Sequence, residues 1–365
     1  NPTVVFSNLI ESTIAAIKKF NFMSLSLYAR AKIINVLILS KFYYMLYFFD
    51  IPPALLASLY KEIGLKIWEK RIPEVSRGVL YNTIPQGGLE LVYLPLKAVA
   101  LRTSIYKTID HNIREESSDI LSELTAHLIK LRDPPGKCPF CCQPIWMVSY
   151  PIYKELSQNL PQVPALISTL PAYLRLLQSH PNTPRQVARP VQQHPQIRGF
   201  LIFNARSRLI HPALKSLNYR LLFQKLPTRE RMHRHRGRGS NQCLFCPGIE
   251  TETHLFLSCP FFRDMRSAIQ HLDPEYNIQF NEGTIFHKIL PQELSKKVKE
   301  AAIIMISTYC YVLWRARCNQ LHGRRTTMIE IERHMRAWSM FHEMTATTTN
   351  NQDLANWWRH WLNRT

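Results

Sequence analysis

Residues 24–49 read SLSLYARAKIINVLILSKFYYMLYFF. Apolar side chains fall on nearly every face of a 3.6-residue helix, as they must in a helix enclosed by others. The stretch predicts a central α-helix with Ser24 or Ser26 as its N-cap. Ile51-Pro52-Pro53 ends it, because proline lacks the N–H a continuing helix needs and bars the preceding residue from helical geometry. Within residues 31–49 the run is broken by Lys32, Asn35 and Lys41. A lysine at mid-membrane costs about 2.5–3.5 kcal/mol, so the segment is expected inside protein, and no membrane partner is expected.

Moving outward, a second helix is expected over residues 55–68. After Gln86 the pair Gly87-Gly88 permits a tight reversal, followed by another helical stretch over residues 94–109. The opening NPTVVFSNLIES carries neither a basic leader nor an unbroken apolar core, so it does not read as a signal peptide. The chain starts at Asn1 and reads as a piece of something longer. Twelve of the 24 prolines fall between residues 133 and 196, a density that forbids long helices and central strands and marks a connector. Farther on, residues 294–323 predict a long helix closed by Gly323, and residues 327–343 a second. The reading is therefore mainly α: a helical unit over 1–132, a Pro-rich connector with a CxxC over 133–196, a basic region with a small zinc module over 197–270, and a C-terminal helical region over 271–365.

With 365 residues and 46% of them hydrophobic, the chain has the apolar surface for real cores. Lys and Arg number 46 against 26 Asp and Glu, a formal charge of +20. That excess favours a polyanionic partner, most often nucleic acid. Half of it sits in residues 198–238, where eleven Lys or Arg oppose Glu230 alone. Eight cysteines in so long a chain are too few for a disulfide scaffold, and reduced thiols are expected.

Cys243, Cys246, His254 and Cys259 stand as C-x2-C-x7-H-x4-C in CLFCPGIETETHLFLSC. Three thiolates and an imidazole within 17 residues select zinc over magnesium or calcium and can close a tetrahedron around one ion. With all four positions supplied by protein there is no place for a catalytic water, so the expected zinc is structural. Cys138 and Cys141 form a second knuckle with no evident other half; distant His111, His127, His180 or His194 could complete it, and buried thiols are the competing reading. Immediately before the first cluster, Lys225, Arg229, Arg231, Arg234, Arg236 and Arg238 form a footprint for phosphates, which guanidinium groups match bidentately; a solvated basic loop is the alternative. Trp314, Trp338 and the terminal Trp357, Trp358 and Trp361 could stack on bases beside Arg315, Arg317, Arg324 and Arg325, but tryptophans at helical spacing are more often core, the reading favoured for Trp314 and Trp338. No phosphate-binding loop, nucleophile elbow, HExxH helix or deaminase signature is present, nor any pair of adjacent aspartates.

Two sets of motifs carry a family resemblance. LSLYARAKIINVLILSKFYYMLY, then IWEKRIP and GGLELVYLPLKAVAL, resemble the thumb that follows the palm in non-LTR (LINE-type) retrotransposon reverse transcriptases. LNYRLLFQKLPTRERM, CLFC, ETETHLFLSCPFFRDMR and WRARCNQLHG are similar to the zinc-binding region near the C-terminus of such polyproteins. The resemblance implies a thumb-like N-terminal unit and puts Cys243, Cys246, His254 and Cys259 at the family's ligand positions. It also implies engagement of template RNA or target DNA during target-primed reverse transcription, beside an upstream palm, in the nucleus and cytoplasm. The family's paired palm aspartates are absent, so no catalytic activity is expected from this chain alone. A domesticated, zinc-dependent nucleic-acid-binding protein without a polymerase role is the alternative. A zinc enzyme would instead need an open coordination position.

Overall fold

The computed structural model describes residues 2–69, 74–102, 188–237, 239–271 and 278–364. The Cys138/Cys141 knuckle, most of the Pro-rich stretch and Arg238 lie outside them. The chain divides into two compact units, the first of residues 1–23, 29–82 and 89–186, the second of residues 24–28, 83–88 and 187–365.

In the first unit α1 (Pro2–Lys19) packs on Pro53–Trp68. Phe6, Ile10, Thr13 and Ile17, spaced three and four apart, bury one face of α1. The stretch expected to be one central helix is broken into four pieces: α2 (Leu27–Ile33), a π turn (Ile34–Ile38), a 3-10 turn (Leu39–Phe42) and α3 (Tyr43–Leu46). Asn35 sits in the π turn. Its side chain donates to the Glu90 carbonyl at 2.7 Å and accepts from the Val92 N–H at 2.9 Å. An inserted residue of this kind re-aims a side chain within a helix, which is a common use of a π bulge. The expectation of burial on every face is also corrected. Ile34, Ile38, Leu39, Phe42 and Leu46 are buried, while Val36, Leu37, Tyr44 and Phe48 are exposed.

The proline stop forms as expected: α4 (Pro53–Trp68) begins with Pro52 as N-cap and Pro53 at the first helical position, where the missing N–H costs nothing. Glu69 ends it at φ +50°. Two buried arginines serve this unit's helix ends. Arg30 donates to the Ile67 carbonyl at 2.8 Å, and Arg102 to the Leu46 carbonyl and Asp50, both at 3.0 Å.

In the second unit α5 (Arg198–Arg206), α6 (Pro212–Leu222), α7 (Arg229–Arg236) and α8 (Arg263–His271) are followed by α9 (Glu282–His287), α10 (Lys296–Leu321), α11 (Met328–Thr348) and α12 (Gln352–Arg364). α10 is enclosed through its middle: every residue from Ala301 to Cys310 is buried. Ser295 caps it, and Gly323 at φ +76° closes its far end, with the Arg324 N–H returning to the Asn319 carbonyl at 3.0 Å. This is the glycine-closed helix expected from residues 294–323. Thr327 and Glu330 form a reciprocal capping box on α11. Trp358 of α12 is buried and stacks on His342, while Trp314 and Trp338 are half-buried. Gly87, at φ +84°, reverses the segment at residues 83–88. A Cβ there would lie 2.7 Å from that of Ala188, so only glycine fits. Among the described residues there is no strand, only an antiparallel bridge between Gln242 and Ile249, and no helix is long and apolar enough to cross a membrane.

Candidate metal centre and basic helix

The four predicted ligands converge because a short hairpin and a π turn face each other. The Gln242–Ile249 bridge and a 2.7 Å bond from the Cys243 N–H to the Gly248 carbonyl close the turn bearing Cys243 and Cys246. Thr251 Oγ1 accepts the His254 N–H at 2.9 Å and starts the π turn His254–Ser258, which delivers Cys259. Phe245, between Cys243 and Cys246, stacks on Phe261 at 4.8 Å. Gly248 lies under the His254 ring, where a Cβ would stand 2.8 Å from Cε1. A side chain at this position would displace the imidazole.

All four ligand atoms lie within 4.8 Å of one another. Cys246 Sγ is 3.1 Å from His254 Nε2 and 3.8 Å from Cys259 Sγ, and Cys243 Sγ is 4.0 Å from Cys259 Sγ. Around a tetrahedral zinc with bonds of about 2.0–2.3 Å, neighbouring donors stand about 3.4–3.8 Å apart. The spacing fits that ion, and it is far too long for a disulfide bond of about 2.05 Å. Cys243 and Cys259 are buried and Cys246 and His254 half-buried. The hydrogen bond from Cys259 holds the Cys243 thiol down at about 5, against the pull of burial. The same bond, with burial, pushes Cys259 up. The two sulfurs thus titrate as a pair that gives up one proton readily and holds the other tightly, and a divalent cation supplies the charge needed to release the second. The cluster is able to hold zinc, and its four protein ligands would occupy all four positions of a tetrahedral ion.

The basic run before Cys243 is helical. Thr228 caps α7 by accepting the Arg231 N–H at 3.4 Å, and Gly237 ends it at φ +62°. Arg229 and Arg231 are half-buried, and Arg231 donates to the Gln224 carbonyl at 3.0 Å. Arg234 is exposed, 3.6 Å from Glu230. Lys225 is half-buried, its pKa lowered by burial and then by Arg231. Arg236 is the last residue of α7.

Two residues escaped the sequence reading, Glu250 and Glu252, while Arg317, grouped there with Trp314 as a candidate contact to bases, is instead buried and ion-paired. Glu250 is fully buried. Its Oε1 accepts from Arg317 Nε at 3.0 Å, from Arg317 Nη2 at 2.8 Å and from the Arg229 N–H at 2.8 Å. Glu252 Oε1 accepts the Leu226 N–H at 2.7 Å, and Arg317 also donates to the Pro227 carbonyl at 3.1 Å. The two carboxylates between the metal ligands therefore hold the turn that launches α7. A signal was present: two acids in ETETH, separated by eleven residues from a 41-residue segment with a single acid.

Residues 200–265 match the family model described as zinc-binding in reverse transcriptase. They form a reverse transcriptase-associated zinc-binding domain. No curated protein matches this chain. The domain so defined runs from Phe200 in α5 to Met265 in α8 and includes all four ligands, both carboxylates and the basic helix. Arg317, which completes the carboxylate network, lies 52 residues beyond its end.

Proposed function

We propose that this chain is the nucleic-acid-binding C-terminal portion of a non-LTR retrotransposon reverse transcriptase. In this reading the zinc is structural, residues 1–132 serve as a thumb, and the palm that carries the polymerase chemistry is supplied upstream. The chain grips template RNA or target DNA during target-primed reverse transcription through Lys225, Arg229, Arg231, Arg234, Arg236 and Arg238. The observation that carries the reading is the anchoring of the basic helix α7 to the metal centre. Glu250 and Glu252 fasten the backbone at Leu226 and Arg229, so that a run of cationic side chains starts from a rigid base. Pre-ordered cations bind a phosphate backbone with a smaller loss of entropy than a free loop would.

Salt dependence tests it. Binding of labelled single-stranded RNA and duplex DNA is measured by anisotropy at several salt concentrations, for the parent chain and for Arg229→Gln/Arg231→Gln/Arg234→Gln. Each lost contact should flatten the slope of log K against log salt by about 0.7 on a single strand or 0.9 on a duplex. The triple variant should therefore lose about two to three units while retaining its zinc. An unchanged slope overturns the assignment.

A further inference from the structure

We infer that Arg324 and Arg325 form a second phosphate-contacting element, which the fold joins to the basic helix into one continuous binding track. The inference rests on the nucleic-acid reading above and extends its footprint. In sequence Arg324 is 88 residues beyond the end of α7. The structure brings the two segments together in three steps.

Arg317 pins the last turns of α10 to the entrance of α7, through the Pro227 carbonyl and the Glu250 carboxylate that also holds the Arg229 N–H. Its guanidinium lies over the Trp314 ring at 5.0 Å, which fixes the side chain from behind. The chain leaving α10 then doubles back. The Arg324 N–H bonds the Asn319 carbonyl at 3.0 Å, the Thr326 N–H bonds Gln320 Oε1 at 3.1 Å, and Thr326 Oγ1 donates to the Ala316 carbonyl at 3.4 Å. Asn319 and Ala316 lie within about one 5.4 Å helical turn of Arg317. Arg324 and Arg325 are therefore held beside the turn of α10 that touches the base of α7.

Both side chains are exposed, and neither has an ion-pair or hydrogen-bond partner among the described residues. By contrast, Arg317 is buried and paired, and Arg234 is shared with Glu230. Two adjacent unpaired guanidinium groups on a backbone closed by Gly323 are a pre-ordered anion clasp, and their fork geometry matches phosphate oxygens. The nearest carboxylate along the chain, Glu330, is engaged with the Thr327 N–H at 2.9 Å, and neither arginine is ion-paired with it. A polyanion crossing from α7 to the end of α10 would neutralise both arginines. The shared chemistry is the phosphodiester backbone, and separate titrations with single-stranded RNA and duplex DNA distinguish the two sources by affinity.

The test uses the full, zinc-loaded chain and three variants: Arg324→Gln/Arg325→Gln, the α7 triple variant above, and Lys296→Gln/Lys299→Gln. The lysine pair lies at the far end of α10, about 30 Å from Arg317 by helical rise, and controls for loss of net charge alone. The Arg324/Arg325 variant should flatten the salt slope by about 1.4 on single-stranded RNA or 1.8 on duplex DNA, with zinc content and circular dichroism unchanged. The lysine variant should leave the slope as it was. A flattened slope for the α7 variant alone overturns this inference and leaves the α7 reading standing. An equal effect of the lysine variant overturns it as well, because the arginines would then act only through overall charge. No effect in any variant removes the nucleic-acid reading itself.

Discussion

Residues 241–259 are fastened twice, and the two fastenings differ in kind. On one side three thiols and an imidazole crowd within 4.8 Å, all drawn from 17 residues of chain. On the other, Glu250 and Glu252 reach outward to the turn before α7 and to Arg317, 67 residues away from Glu250. The metal cluster is local and conditional: its ligands repel or protonate one another until a cation arrives. The carboxylate–guanidinium brace needs no ion but is only as good as its pairing, since either charge alone, buried without the other, is costly. One fastening thus closes the module on itself, and the other connects it to the core helix α10. Together they hold the basic helix at its base.

The largest effect is expected at the metal. Cys259→Ser or His254→Ala should abolish stoichiometric zinc, one ion per chain, as read by metal analysis. Small zinc modules draw about 10–16 kcal/mol of apparent folding free energy from the ion, so the hairpin should lose its amide protection in hydrogen exchange while α10 keeps its own. Full retention of zinc in either variant would refute the ligand assignment.

A smaller effect should follow from the brace. Arg317→Met leaves Glu250 buried without its counter-ion and should cost about 3–5 kcal/mol, measured by urea unfolding. The double variant Arg317→Met/Glu250→Gln, which keeps an acceptor for the Arg229 N–H, should be more stable than Arg317→Met alone. Equal stabilities would mean that the ion pair is not what holds the two segments.

The smallest expected effect separates the fastenings by pH. In the metal-free pocket the Cys243 thiol is held down at about 5. Its contribution to stability is therefore fully present above its ordinary value of about 8.5 and is lost as pH falls through about 5. Cys259 is shifted upward and must give up its proton to the metal. Zinc affinity should rise with pH near neutrality, about tenfold per pH unit and about 1.4 kcal/mol for each proton released. Calorimetric titration in buffers of different ionisation enthalpy should find at least one proton released per zinc at pH 7, and a count of zero would contradict the assignment.

Much of this was legible in the residues because the physics is short-range. Caps and stops act within a turn. Residues 294–323 and 327–343 were expected to be helical, and α10 and α11 run from Lys296 to Leu321 and from Met328 to Thr348. The Pro52-Pro53 stop and the Gly87 reversal are set by the same local constraints. Residues 24–49 went differently. Their composition is apolar enough for an enclosed helix, but the helical period cannot anticipate that Asn35 will bond the backbone at Glu90 and Val92, 55 and 57 residues on. That long-range demand introduces the π turn and leaves Val36, Leu37 and Tyr44 exposed.

The same division runs through the functional region. Ligand type and spacing by themselves determined the metal centre, because four donors on a 17-residue segment can meet with little chain entropy to overcome. The cationic character of residues 198–238 was likewise set by composition alone. Only the tertiary structure decided where those charges would stand. A carboxylate at Glu250 can pair with any of 46 lysines and arginines as far as sequence is concerned. Packing of α10 against the zinc module selected Arg317, because a buried charge is tolerated only where a partner is already held within hydrogen-bonding distance.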